Sequence, residues 1–252
     1  MRLTFLGTGT SHGVPALGCG CPVCRSKDRK NKRTRSSLLV EEQGRTILID
    51  TATDFRTQAL REKVSSIDAV LYTHAHADHL HGIDDLRPLS YKKHIPLYGS
   101  PETLREIHTR FDYIFNSSGQ IGGGVPLLRL SPIQSLVFFV LDIPVTAIPL
   151  KHGNLDILGY RIANMAYLTD CSFIPGSSRG LLEGLDVLII NALRARPHST
   201  HFSIGEALHE IARIRPKRAY LTHFSHEVDH RALKKELPYG VAPSYDGLKL
   251  ES

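Results

Sequence analysis

The chain has 252 residues, 41% of them hydrophobic and 22% charged, a balance that excludes a disordered or fibrous chain. At this length a core can form without a disulfide scaffold, and no apolar run reaches the ~18–20 residues of a membrane span. The net charge of +6 and a pI near 9.2 fit either an anionic substrate or a solvated basic surface, since the charge is spread along the chain.

The N-terminus runs straight into a strand, Arg2–Leu6, with no signal-peptide apolar region, so a soluble cytoplasmic protein is expected. Gly7 to Pro15 is a glycine-rich turn region; Gly7-Thr8-Gly9 alone is weak evidence for phosphate binding, and no Gly-x-x-x-x-Gly-Lys follows. The basic run Lys27 to Arg35 reads as a loop. Ser37–Glu41 and Arg45–Asp50 form a hairpin around Glu42-Gln43-Gly44, and Asp54–Lys63 is a short amphipathic helix. A buried strand at Val70–Tyr72 leads into Thr73-His74-Ala75-His76-Ala77-Asp78-His79, with a helix expected from Leu80. Ile95–Tyr98 is a strand and Pro101–Phe115 a helix capped by Ser100. Asn116–Pro126, rich in glycine, is expected to be a mobile loop or tolerated insertion. Leu127 to Leu150 is strand-rich, Leu158–Ala163 and Met165–Leu168 pair around Asn164, and Leu185–Ile190 and Ala219–Leu221 are buried strands. Ser203-Ile204-Gly205-Glu206 is a capping box for a helix reaching about Ile214. With no break in composition, residues 1–252 are expected to form one α/β domain.

One regularity stands out. Apolar strands end in Thr73-His74, Lys151-His152, Thr169-Asp170 and Thr222-His223. If those ends lie side by side, His74, His76, Asp78, His79, His152, Asp170 and His223 converge on one place. Imidazole and carboxylate ligands in this number suit two zinc or manganese ions. Three of the four cysteines, Cys19, Cys21 and Cys24, crowd into six residues, which in a cytosolic chain favours a metal over disulfides.

His74-x-His76-x-Asp78-His79 with His152, Asp170 and His223 resembles the metallo-β-lactamase superfamily over nearly the whole chain. The resemblance implies an αββα four-layer sandwich with the site on one edge. It further implies that His74, His76 and His152 hold one metal, that Asp78, His79 and His223 hold the second, and that Asp170 bridges them. Within the superfamily, the turn Gly7 to Pro15, the Cys19-x-Cys21-x-x-Cys24 cluster and Thr222-His223-Phe224-Ser225-His226 are similar to PhnP-like phosphodiesterases, named after an enzyme that cleaves phosphoribosyl cyclic phosphate. That likeness implies a structural zinc on Cys19, Cys21, Cys24 and His226, and a homodimer as one option.

Two divalent ions against the carboxylates of Asp78 and Asp170 leave the site cationic, which favours a small phosphodiester anion. A hydroxide bridging the metals is the expected nucleophile, because bound metals lower the pKa of water toward ~7. His201, just ahead of the capping box and matching the acid histidine of the phosphodiesterase relatives, is the candidate general acid; His198 is its decoy. The helix start beside it offers N–H groups to a phosphate. Cys171 reads as a buried apolar residue, Asp50 as a second partner to a ligand histidine, Asp246 as a turn residue, and His81 as a bystander. The competing functions are a tRNA 3′-processing nuclease, disfavoured by unclustered basic charge and by the short spacing from His152 to Asp170, and a thioester or lactam hydrolase. No membrane or nucleic-acid partner is expected.

Overall fold

The computed structural model describes residues 1–116 and 124–251. The first sheet contains β1 (Arg2–Gly7), β2 (Ser37–Glu42), β3 (Arg45–Ile49), β4 (Ala69–Leu71), β5 (Ile95–Gly99) and β6 (Leu128–Pro132) in that spatial order. The second contains β7 (Val137–Val140), β8 (Ile143–His152), β9 (Leu155–Ile162), β10 (Met165–Leu168), β11 (Val187–Asn191), β12 (Arg218–Thr222) and β13 (Val241–Pro243). The last strand, β14 (Lys249–Glu251), returns to the first sheet beside β1.

Alternation along the strands explains the layers. Leu3, Phe5, Val40, Ile47 and Ile49 of the first sheet face Val145, Tyr160, Met165, Val187 and Ile189 of the second and form the central core. The opposite faces are covered by helices. Helix Phe55–Glu62 and helix Pro101–Arg110 bury Phe55, Leu104 and Ile107 on the first sheet. Helix Ile204–Ile214 buries Ala207 and Ile211 on the second. The result is the expected αββα sandwich. Each fully buried Leu, Ile or Phe contributes about 1.5–3 kcal/mol, so these apolar faces, and not helix propensity, hold the layers together.

Local chemistry sets the joints. Gln43 and Gly44 both have positive φ, the primed turn that matches strand twist, and they close β2 onto β3. The Ser203 hydroxyl accepts from the Glu206 N–H while the Glu206 carboxylate accepts from the Ser203 N–H, so the capping box forms as read. Gly7 has a packing reason: a Cβ there would sit 1.9 Å from the Arg35 carbonyl oxygen. The Gly-x-Gly turn is thus shaped by close backbone approach, consistent with its weakness as a phosphate signal.

Several expectations are corrected. The helix after the central motif begins at Ala77, inside the motif, and is followed by separate turns at Ile83–Leu86 and Arg87–Ser90. The helix from Pro101 breaks at Phe111, whose non-helical backbone (ψ 42°) interrupts it and whose ring meets His81 edge-on, and resumes at Asp112–Phe115. The basic run is not all loop surface: Arg33 is buried, donates to the Val228 carbonyl and lies over the Phe224 ring. Asp246 is no mere turn residue; its buried carboxylate accepts from Thr8, Thr34 and Arg61 and fastens the C-terminal tail to the N-terminal turn. The glycine-rich stretch expected at Asn116–Pro126 falls largely on residues 117–123, outside the described residues. Among the described residues no helix is long and apolar enough to cross a membrane.

Candidate metal centre and active site

β3 and β4 run parallel in the first sheet, and β8, β10, β11 and β12 share one direction in the second, so their C-terminal ends meet at one edge of the sandwich. Asp50, Asp170 and His223 each lie just beyond a strand end, and each adopts positive φ, 64°, 54° and 60°. A left-handed backbone at non-glycine residues is costly, and such strain collects where a side chain must be aimed. Here it turns three polar side chains sharply from strand ends into the edge between the sheets.

The seven predicted ligands come together there. One ligand atom from each of His74, His76 and His152 falls within 4.8 Å of the others, as does one from each of Asp78, His79, Asp170 and His223. Asp170 touches both groups: its Oδ2 lies 2.6 Å from His79 Nε2 and 3.4 Å from His74 Nε2, and its Oδ1 lies 2.7 Å from His223 Nε2. Only His76 is exposed, marking the mouth of the site; His74, His79, Asp170 and His223 are buried.

The hydrogen bonds behind the ligands fix which ring nitrogen faces inward. Asp50 accepts from His79 Nδ1 at 2.7 Å and from both the backbone and hydroxyl of Thr73 at 2.8 Å. Because the Thr73 hydroxyl donates to that carboxylate, its oxygen accepts from His74 Nδ1, 2.9 Å away. The same logic applies to Ser36, whose hydroxyl donates to the Gly9 carbonyl and accepts from His223 Nδ1 at 3.0 Å. His152 Nδ1 donates to the Thr200 carbonyl at 2.7 Å. Four histidines therefore carry their proton on Nδ1 and turn a bare Nε2 toward the centre, the arrangement a metal requires.

Those inward atoms fit a cation. Nε2 of His74 and of His79 and Oδ1 of Asp170 are buried without a hydrogen-bond partner. Lone pairs facing a carboxylate at 2.6–2.7 Å need a positive charge between or beside them. With only protons to serve, burial disfavours a charged His79, but the carboxylates of Asp170, Asp78 and Asp50 outweigh it and hold the ring well above the usual range. Burial, reinforced by His79, pushes His74 well below it. Burial also works against Asp170 ionising, yet His223 and His79 keep it ionised well below the usual carboxylate range. The nitrogen and oxygen donors suit zinc or manganese.

His201 joins this cluster. Its Nε2 lies 3.2 Å from Asp170 Oδ1, and its ring stacks on His223 with 5.1 Å between centroids. Two donors at the start of the neighbouring helix, in contrast, are spent within the protein: Ile204 N donates to the Arg194 carbonyl and Glu206 N to Ser203 Oγ. The helix start is thus used for capping.

A second set of ligands lies on the N-terminal side. Sγ of Cys19, Cys21 and Cys24 and a ring nitrogen of His226 fall within 4.8 Å of one another. His226 Nδ1 is 3.2 Å from Cys19 Sγ and 3.5 Å from Cys21 Sγ. Three thiolates and one imidazole match a closed structural zinc site. The turn Thr8–Thr10 pairs with Phe224, which lies between His223 and His226, and so links the two sets.

Of the remaining readings, Cys171 is buried, and burial pushes its thiol up to about 12. His81 is exposed and faces Phe111. Asp50 partners His79, as its strand-end position suggested. Ser36, Thr73 and Thr200 as ligand partners were not foreseen; Thr73 adjoins the motif, but neither Ser36 nor Thr200 has a sequence signal.

The family model described as "Beta-lactamase superfamily domain" matches residues 45–224. Fold and match together place the chain in the metallo-β-lactamase superfamily, the class the site geometry defines. A solved diphosphatase from the PhnP family superimposes with a TM-score of 0.93 and 40% identity, covering 100% of this chain and 97% of the other, so the chain belongs to the PhnP family. An octanoyltransferase of Porphyromonas gingivalis is 42% identical over 99% of this chain and 51% of that protein. A ribonuclease Z of Bradyrhizobium diazoefficiens is 29% identical over 63% of this chain and 48% of its own length. The chain spans about half the length of these curated relatives.

Proposed function

We propose that the chain is a dinuclear metal-dependent hydrolase of a small anionic phosphodiester, such as a phosphoribosyl cyclic phosphate. The observation that carries this reading is His201 placed against Asp170, at the junction of the two ligand groups. His74, His76 and His152 would hold one ion; Asp78, His79 and His223 would hold the other, with Asp170 shared. Ions bound there would supply a water of pKa near ~7 and stabilise charge on the phosphoryl oxygens. Asp50, Thr73, Ser36 and Thr200 keep the ligand rings oriented, and Asp78 presents its carboxylate beside His79 at 3.3 Å. His201 Nε2 holds the proton that a departing alkoxide needs. Cys19, Cys21, Cys24 and His226 would hold a structural zinc.

The family relative's description as a diphosphatase favours a second reading, cleavage of a phosphoanhydride. The two differ in what the leaving group demands. A phosphate leaving group, with a second pKa near ~6, departs without a proton at neutral pH, whereas an alkoxide does not. A general acid beside the ligands therefore favours the phosphodiester. The octanoyltransferase likeness supports acyl transfer less well: the cysteine beside Asp170 is buried and raised to about 12, so it offers no thiolate to carry an acyl group.

The test is His201→Ala, assayed with alkyl and p-nitrophenyl phosphodiesters. Turnover of the alkyl ester is expected to fall by about 10²-fold with metal content unchanged. Turnover at the wild-type rate would remove the assigned role.

A further inference from the structure

His198 reads from sequence as a decoy for His201, yet the two rings are coupled. His198 Nδ1 accepts from the backbone N–H of Thr200 at 3.3 Å, so that nitrogen carries a lone pair. The Thr200 hydroxyl lies 3.2 Å from the same nitrogen and 2.9 Å from His201 Nδ1, and the two Nδ1 atoms are themselves 3.2 Å apart. In the doubly protonated ring that delivers a proton from Nε2, His201 Nδ1–H donates to the Thr200 oxygen, and the Thr200 hydroxyl donates to His198 Nδ1.

The middle member of this chain is locked. Its carbonyl holds His152 at 2.7 Å, and its methyl fills the space left by Gly153, where a Cβ would come within 2.9 Å of Thr200 Cγ2. Gly153 also has φ of 58°, so the end of β8 is built to receive this methyl. With carbonyl and methyl both fixed, the hydroxyl has one direction left, toward the two histidines. The His198 ring meets His201 edge-on, with 5.0 Å between centroids.

The geometry points to His198 as a positioning residue for the reaction: through Thr200 it fixes the Nδ1–H of His201 and thereby aims Nε2 into the site. The inference rests on His201 acting as the proton donor. Burial, with His201 and the nearby Arg194 and Arg196, also lowers the His198 pKa, which favours the neutral ring an acceptor must be.

The experiment compares His198→Leu, which removes the acceptor, with His198→Asn, whose side-chain oxygen replaces it near the Nδ1 position. Both are assayed as the metal-loaded protein, with His201→Ala alongside, on phosphodiesters whose leaving groups range from p-nitrophenol to an alkyl alcohol. For His198→Leu, kcat on the alkyl ester is expected to fall about tenfold, with KM, metal content and p-nitrophenyl turnover nearly unchanged. His198→Asn is expected to recover most of the loss. Equal losses on all leaving groups, no loss at all, or no recovery by Asn would overturn the inference. If His201→Ala itself shows no dependence on leaving group, the proton-donor role fails; if it does and His198→Leu does not, only the role of His198 fails.

Discussion

The two ligand sets are held in opposite ways. At the sheet edge every buried histidine ligand is gripped from behind by a protein acceptor: Asp50, Thr73, Ser36 or the Thr200 carbonyl. In the cysteine set, Cys19, Cys21 and His226 partner chiefly one another, Cys19 and Cys21 are only half-buried, and their loop has a single four-residue helix, Pro22–Arg25, capped by Cys21 itself. The first site is preorganised by the fold, so ions bound there would serve chemistry. The second is organised by its own ligands, so an ion bound there would serve structure. Stripping metal with a chelator is expected to speed amide exchange across Ala16–Arg25 far more than across the strand ends that carry the histidines.

The largest effect tests the shared ligand. Asp170→Asn is expected to lower kcat/KM by about 10³-fold or more and to weaken metal binding in both groups. Loss of only one ion, seen by metal analysis, would break the idea that Asp170 serves both. Next comes the support: Asp50→Asn leaves all seven ligands in place but changes the acceptor behind His79, with an expected loss of about 10–100-fold in metal affinity. An affinity equal to wild type would show that the ring orientation does not depend on Asp50. On the other side of the comparison, Cys21→Ser is expected to lose one ion per chain and to lower the melting temperature, while phosphodiester turnover stays within about tenfold of wild type.

The smallest effect concerns the packing behind the cysteine set. His230 is buried edge-on against Tyr245, its Nδ1 has no partner, and burial lowers its pKa to about 4 from 6.5. The unfolded ring takes up a proton below 6.5 and the folded one does not until about 4. The stability it permits is therefore whole above pH 6.5 and is lost as pH falls toward 4. His230→Phe is expected to flatten part of the fall in melting temperature between pH 7 and pH 5. An identical fall in the variant would assign the acid sensitivity elsewhere.

The sequence disclosed more of the ligands than of what holds them. His74 to His79, His152, Asp170 and His223 were legible because strand ends repeat a polar signal after apolar runs, and parallel strands must deliver those ends to one edge. The mix of strands and helices gave an α/β domain, and the four layers followed from the family resemblance. Ser36 and Thr200 were not legible because each meets its histidine across a long stretch of chain, and the local engagement of His198 was not legible because it turns on the direction in which the Thr200 side chain is held. Ser36 meets His223 across 187 positions. The helix from Leu80 was misplaced because Ala77-Asp78-His79 carries no apolar period of its own; the turn there is set by the ligands it presents. Arg33 and Asp246 looked like surface and turn residues for a similar reason: their partners lie more than 190 positions away for one and in the N-terminal turn for the other.

The most direct measurement is turnover by the metal-loaded protein of bis(p-nitrophenyl) phosphate beside a cyclic phosphoribosyl phosphate, a dinucleoside diphosphate, a thioester and a lactam. The account predicts hydrolysis of the phosphodiesters, with the cyclic sugar phosphate preferred and the thioester and lactam untouched. Turnover confined to the thioester, or full metal content with no phosphodiester cleaved, would contradict it.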